Sequence, residues 1–455
     1  MREPCCRDAP ELLIVGASVR AALQSAKWAG INATGADLFA DRDAAALAPL
    51  HRVVRYPHDF VSLAERLQPA AVMYTGALEN HPRVVSQLAQ TTTLLGNGRE
   101  ALAACRNPES LRRVFRDLPG VRTPHLALHA AEPPLNDQCR HWLRKPFASA
   151  GGRGIELSCS AEADLPGGAR PAAAAAADAG SPAGISPRRP APLKPSYWQQ
   201  YVAGIPLAAA YLATNEACHL IGVSRQLIGL GWLGGSGFHY CGSIGPLTLS
   251  HDARPSKWDT WRLIGEVARD EFSLRGLFGI DGIDDGHYVW PIEVNPRYTA
   301  SMELFESRFV GKERSEASCS LVACHVQSCR AAGEAVGSTG VPSPRAWSGG
   351  AGDVNFLRGK AIVHAQRPIL VSQALSDRLW DFHDAARVTR LGDVPNPGTH
   401  IDRRQPVATI LTELALDSTK DRARLFGQDP IGPMEHQLRR LAAELQAILN
   451  ASDHI

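Results

Sequence analysis

The chain has 455 residues, of which 44% are hydrophobic, and 48 Lys and Arg balance 46 Asp and Glu for a formal net charge of +2. That apolar content suits about three domains with cores of their own, and the near-neutral balance excludes the broad basic field of a nucleic-acid binder. The longest apolar stretches fall short of a membrane span. The N-terminal LLIV run suits a strand better than a signal h-region, so a cytoplasmic protein is expected. Ten cysteines are irregularly spaced without a CxxC pair. Cys319, Cys324 and Cys329 recur every five residues beside His325, so a zinc site is conceivable. A five-residue repeat does not keep to one helical face, however, and a buried core helix in a reducing compartment is the preferred reading.

The segment ELLIVGASVRAALQ (11–24) opens as strand, Gly-Ala-Ser turn and helix. It has no G-x-G-x-x-G, so a dinucleotide site is poorly supported. Gly16 and Ser18 stand where strand-end loops carry ligands, although turn chemistry accounts for them equally well. PAAVMYTGALENHPRVVSQLAQ (69–90) and TTTLLGNGREALAA (91–104) repeat the strand–helix alternation, which predicts a parallel sheet. A helix over PESLRRVFRDL (108–118) follows, then HWLRKPFASAGGRGIELS (141–158), which reads as strand, glycine-rich loop and strand. Residues 161–196 are almost all Ala, Pro, Gly and Ser, a low-complexity insertion to which no function is assigned.

Strands are then expected through SYWQQYVAGIPLAAAYLA (196–213), CHLIGVSRQLIGLGW (218–232) and GFHYCGSIGPLTLS (237–250). A helix over PSKWDTWRLIGEVARDEF (255–272) leads into a hairpin at 277–295. A second Gly/Ser/Pro-rich linker covers 332–352, and the remainder is β-rich and closes on the helix PMEHQLRRLAAELQAILN (433–450). The chain divides into an α/β domain over 1–100, a central α+β domain over 101–331, the linker, and a C-terminal domain over 353–455.

The strongest chemical signal is the hairpin FGIDGIDDGHYVWPIEVNPR (278–297). In the second strand Glu293 and Asn295 alternate with apolar Ile292 and Val294, so they share a face, roughly 6–7 Å apart. Asp281 interrupts the first strand among apolar neighbours, where a carboxylate is costly unless it meets a cation. Together these three make an oxygen-donor set suited to Mg²⁺, with Arg297 beside it to face phosphate. A regular two-residue turn at Asp285-Gly286 would pair Asp281 with Trp290 and turn Glu293 away. The set converges only if a bulge or larger turn, most plausibly near Pro291, changes the register, and an irregularity there is predicted.

The second signal is LRKPFASAGGRGI. Lys145 ends a strand, and Ser149, Gly151, Gly152 and Gly154 follow, a spacing that lets backbone N–H groups close over phosphate oxygens. It is not a Walker A loop, because no G-K-[ST] occurs. The third signal is WQQYVAGIP, a polar-aromatic strand ending in Gly that suits an adenine edge.

Taken in order, these three elements resemble the ATP-grasp superfamily over roughly 100–310. The E-x-N-P-R element with its upstream acid is the most specific part. The preceding α/β unit resembles a pre-ATP-grasp domain, and DVPNPGTHIDRRQPVATILT (393–412) looks like the barrel-like C-terminal region of biotin-carboxylase-type members. The resemblance implies ATP held between two lobes with Mg²⁺, or Mn²⁺, bridging its phosphates. It implies Asp281, Glu293 and Asn295 as metal ligands, Arg297 as the catalytic cation, and Lys145 on the α/β-phosphates under the 149–154 loop. Gln200, Tyr201 and Val202 would line adenine, and Arg225 would face phosphate.

Two positions depart from the family pattern. Arg106, Arg112 or Arg113 stands in for a Lys before the glycine-loop strand, and Gln200 stands for a hinge Glu. The implied activity is a carboxylate–amine ligase that makes an acyl phosphate. The opening α/β unit and the extra C-terminal part resemble ATP-grasp proteins related to tyramine–glutamate ligase, linked to one-carbon cofactor synthesis. Its partners would be a small-molecule carboxylate and amine, and a homodimer is common among relatives. His239 and Tyr240 are candidates to face the second substrate, although strand packing explains them more simply. The alternatives are a bicarbonate-activating carboxylase type, which lacks support from any A-M-K-M biotin-carrier stretch, and a non-catalytic nucleotide-binding regulator.

Overall fold

The computed structural model describes residues 9–129, 132, 141–158, 195–249, 256–306, 309, 320–330, 356–384, 389–416 and 431–451. The 332–352 linker, all but the last two residues of the 161–196 insertion, and Cys5, Cys6 and Cys319 lie outside them. Among the described residues no helix is long and apolar enough to cross a membrane.

The alternation of strands and helices in the first hundred residues builds a five-stranded parallel sheet. Its strands run in the order 50–52, 33–37, 12–15, 71–74, 93–94. Leu12–Val15 and Ala71–Tyr74 are buried throughout, as a parallel sheet covered by helices on both faces requires. The strand ends feed loops that carry Ala17, Ser18, Thr75, Gly76 and Glu79 to a central cavity. Ligands sit at this edge of open α/β sheets.

Two helices, Arg99–Arg106 and Pro108–Phe115, cross from this sheet to the next layer. The second starts cleanly because Asn107 caps it by accepting from Glu109 N and Pro108 occupies the first helical position. A four-stranded antiparallel sheet follows, in the order 126–127, 196–200, 142–146, 156–157.

The largest element is a nine-stranded antiparallel sheet. It starts at the hairpin of Gly276–Asp284 and Val289–Asn295 and runs through Ile205–Ala213, Cys218–Ile228 and Tyr240–Gly245. It then continues without a break into Phe356–His364, Pro406–Ala415, Thr389–Gly392 and His383–Asp384. The junction is the pairing of Gly242 with Ala361 and of Ser243 with Lys360. The helix Lys257–Phe272, capped by Ser256, covers one half. The carbonyl of its buried Trp261 accepts from Tyr211 Oη at 2.7 Å. The helix Gly432–Asn450 covers the other half with Met434, Leu438, Leu441 and Leu445, and Gly359 lets Met434 lie flat on the sheet.

The described members of the cysteine repeat lie on a helix, as the core-helix reading expects. Cys324 and Cys329 lie on the helix Leu321–Cys329, and among the described residues no three His, Cys, Asp or Glu side chains gather as a metal site. His325 accepts from Leu277 N at 2.9 Å through Nδ1, which leaves Nε2 to donate to Leu95 O at 3.1 Å. Burial holds this imidazole down to about 4, so it is a neutral core residue.

Candidate active site

The hairpin contains the expected irregularity. Its turn spans four residues rather than two, with Asp284 opposite Val289, Ile283 opposite Trp290 and Gly282 opposite Pro291. Asp285 holds the turn by accepting from His287 N, Tyr288 N and Trp290 Nε1 at 2.8, 2.6 and 2.7 Å. Two added turn residues shift the register by two and leave the faces unchanged. The face changes one step later, where Ile292 has no partner and Asp281 pairs with Glu293, then Gly279 with Asn295. This single-residue bulge beside Pro291 brings Asp281, Glu293 and Asn295 onto one face.

These side chains meet. Asp281 Oδ2 accepts from Asn295 Nδ2 at 3.1 Å, and its Oδ1 accepts from Gln226 Nε2 at 3.0 Å. Burial and then the charge of Glu293 push Asp281 up to about 7. A buried carboxyl raised beside a second carboxylate is relieved by positive charge placed against both. The oxygens of Asp281, Glu293 and Asn295 therefore fit a hard divalent cation that takes its remaining ligands from phosphate and water.

Arg297 is fixed by a partner the sequence did not suggest. Its Nε and Nη2 donate to the two carboxylate oxygens of Glu79, at 2.9 and 2.5 Å, and Nη2 also reaches Asn295 Oδ1 at 3.1 Å. Glu79 is 2% exposed. Burial would raise its carboxyl, but the Arg297 guanidinium holds it below the usual carboxylate range. Bidentate geometry leaves the guanidinium one orientation.

Across the cleft, Lys145 ends the Trp142–Pro146 strand and donates to Gln199 Oε1 at 3.3 Å. The loop after it docks on the large sheet: Tyr240 N donates to Gly151 O at 3.1 Å. Gly152 passes so close to Phe238 that a Cβ there would lie 1.8 Å from the Phe238 carbonyl oxygen. Of the three arginines considered for the missing Lys, Arg106 alone lines the cavity, while Arg112 and Arg113 are exposed. Arg106 donates to Glu293 Oε1 at 2.5 Å and to Asn80 Oδ1, Phe147 O and Ser149 O at 2.8, 3.1 and 3.1 Å. It thus ties the proposed metal face to the glycine-rich loop.

Lys145, Ser149, Gly151, Gly152, Tyr201, Val202, Arg225, Asp281, Glu293, Asn295 and Arg297 all line one cavity of about 1130 Å³. Gln200 and Gly154 do not line it. The Gln200 side chain turns back to accept from His125 N at 3.1 Å, and Gly154 packs on Pro146. Tyr240 reaches the cavity and His239 does not. At the first strand end, Ala17 and Ser18 reach it while Gly16 packs on Thr75.

The far end of the cavity is framed by a second charge cluster that joins three parts of the chain. Arg20 donates to both oxygens of Glu303 at 2.6 and 2.7 Å and to Asp393 Oδ1 at 3.0 Å, and Lys360 reaches Glu303 Oε2 at 2.9 Å. Sequence reasoning missed this cluster and missed Glu79. The one signal available for Glu79 was its place in the loop after a parallel strand, where ligands are bound.

Residues 109–301 match the family model of the ATP-grasp domain. Among solved structures, the chain is similar to the biotin carboxylase domain of Hydrogenobacter thermophilus 2-oxoglutarate carboxylase, a complex with MgADP, ADP and bicarbonate. The likeness has a TM-score of 0.57 at 11% identity, over 90% of this chain and 87% of that one. It is also similar to the L-amino acid ligase of Bacillus licheniformis, with a TM-score of 0.55 at 14% identity over 92% and 96% of the two chains. Biotin carboxylase from Campylobacter jejuni gives 0.56 at 12% identity over 89% and 88%. A search of curated protein sequences returns no match.

Proposed function

Since the chain carries an ATP-grasp domain, we propose that it is an ATP-dependent ligase that activates a small-molecule carboxylate and joins it to an amine. The observation that supports this most is the bulge that brings Asp281, Glu293 and Asn295 onto one face next to Arg297. A protein that bound a nucleotide without its metal would have no need of a buried Asp281 carboxyl held beside Glu293 at a cost in charge.

ATP lies in the cavity between the glycine-rich loop and the large sheet, with Tyr201 and Val202 at the adenine end and Lys145 and Arg225 toward the phosphates. Asp281, Glu293 and Asn295 would hold Mg²⁺, whose chemistry when bound is to offset charge on the phosphate oxygens. A carboxylate oxygen of the first substrate attacks the γ-phosphorus, the bond to ADP breaks, and an acyl phosphate forms. Arg297, locked by Glu79, faces the charge that spreads over the transferring group. The amine nitrogen then attacks the acyl carbon, phosphate leaves, and the nitrogen gives up a proton. The chain supplies position and charge rather than a nucleophile.

The likeness to biotin carboxylases supports a second reading equally, in which bicarbonate is the carboxylate activated. The test is ADP release from purified protein with Mg-ATP, a panel of amino acids and small carboxylates with and without amines, and bicarbonate as a separate arm. Turnover that needs one acid and one amine, and is lost in Glu293→Ala, supports the ligase. Turnover with bicarbonate alone supports the carboxylase type. Binding of Mg-ATP without turnover on any arm points to a regulator, and no ATP binding refutes the proposal.

A further inference from the structure

We propose that Asp41 anchors the ammonium group of the amine substrate, and that this substrate carries an apolar body. The inference rests on the ligase reading and names what occupies the end of the cavity away from Lys145. Asp41 is 8% exposed and lines the cavity. It precedes the short helix Arg42–Ala45 but does not cap it with its side chain. Among the described residues its carboxyl has no hydrogen-bond partner, unlike every acid around it.

Asp37 accepts from Val19 N, Phe39 N and Ala40 N at 3.1, 3.1 and 2.7 Å. Asp43 accepts from Asp393 N and Val394 N at 3.0 and 2.8 Å. Asp393 is held by Arg20 and by Thr409 Oγ1 at 3.0 and 2.5 Å. The backbone of the loop is pinned from the C-terminal side as well, since Asn396 Nδ2 donates to Ala40 O at 2.7 Å and Arg42 N to Val394 O at 2.8 Å. Asp41 is therefore a carboxyl in a fixed loop that lines the cavity without a hydrogen-bond partner from the described residues. That arrangement costs free energy unless a ligand supplies one.

The surrounding charges say which ligand. Asp37, Asp43 and Asp393 surround Asp41, and Arg20, the cation that acts on it, is already shared by Glu303 and Asp393. Burial and then the charge of Asp393 push the Asp41 carboxyl up to about 9, so in the free protein it keeps a proton, which it gives up when a cation enters beside it. An anion would be repelled here, so the carboxylate substrate belongs at the Arg297 end and the cationic partner at this one. A metal ion is disfavoured, because among the described residues no three metal-ligating side chains converge. An ammonium group needs fewer acceptors. Leu38, Phe39, Pro395 and Ile401 line the cavity beside Asp41, and Phe39 is 40% exposed, which suits an aliphatic or aromatic body on the amine.

The test uses the full chain loaded with Mg²⁺ and a non-hydrolysable ATP analogue, titrated with 2-phenylethylamine and with 2-phenylethanol, its uncharged match in shape. Wild type is expected to bind the amine at least about tenfold more tightly than the alcohol. Asp41→Asn is expected to reduce that preference to roughly twofold or less, and Asp41→Glu, which keeps the charge, to retain most of it. Nucleotide affinity reports whether each variant folds. Equal binding of amine and alcohol by wild type, no amine binding by nucleotide-loaded wild type, or an undiminished preference in Asp41→Asn each overturns the proposal. Failure to bind the nucleotide analogue overturns the ligase reading instead.

Discussion

Replacing Asp281 by Asn should stabilise the free protein at alkaline pH while removing a ligand of the metal face. The Asp281 carboxyl stands at about 7 in the folded chain against an ordinary 3.8. A carboxyl raised by folding contributes stability that is fully present below the unfolded value and is lost as pH rises through the folded one. In wild type that loss runs from about pH 4 to pH 7. Each unit is worth about 1.4 kcal/mol, so two units, from pH 5 to pH 7, come to about 3 kcal/mol.

The variant has no such titration. It gives up about 1 kcal/mol in hydrogen bonding. Asn295 cannot flip, because its Oδ1 is held by Arg297, so the new amide must turn its Nδ2 toward Gln226, which has to flip in turn. The assay is denaturant unfolding without Mg²⁺ at pH 5 and pH 8, followed by tryptophan fluorescence, because Trp261 and Trp290 lie in this layer. The stability of Asp281→Asn minus that of wild type should grow by about 3 kcal/mol from the lower to the higher pH. A difference that stays flat or shrinks would refute the claim that Asp281 is held protonated by burial and Glu293.

Two further outcomes test the frame of the site. Glu79→Ala leaves the buried Arg297 guanidinium without its bidentate partner, so a loss of about 3–5 kcal/mol in unfolding free energy is expected. Glu79→Ala combined with Arg297→Ala should cost less than the sum of the single changes, and strict additivity would show that the pair is not coupled. Gly152→Ala brings a methyl group to 1.8 Å from the Phe238 carbonyl oxygen at a φ of +74°, whereas Gly151→Ala at +62° meets open space. Affinity for Mg-ATP should fall by roughly tenfold or more in the first and by much less in the second. Equal affinities would show that the approach of this loop to Phe238 plays no part in nucleotide binding.

The parts of this protein that follow from short-range rules were legible in the chain itself. LLIV followed by a Gly-Ala-Ser turn and an alternating helix dictates a β-loop-α unit, and its repetition dictates a parallel sheet. Even the hairpin irregularity could be deduced, because period-two geometry sets Glu293 against Asp281 unless one residue is unpaired. The identities of Lys145, Glu293, Asn295 and Arg297 belonged to local motifs. The sequence did not show that Glu79 would clamp Arg297, that Arg20 would hold Glu303, or that Gln200 would turn away to His125. Nor did it show that Tyr240–Gly245 and Phe356–His364 would fuse two sheets into one. Strand period, capping and turn chemistry act over a handful of residues, so the chain states them directly. Glu79 and Arg297 are 218 positions apart, and Arg20 and Glu303 are 283. Which charge meets which at such separations depends on how three packed layers orient their edges, and only the assembled fold decides that.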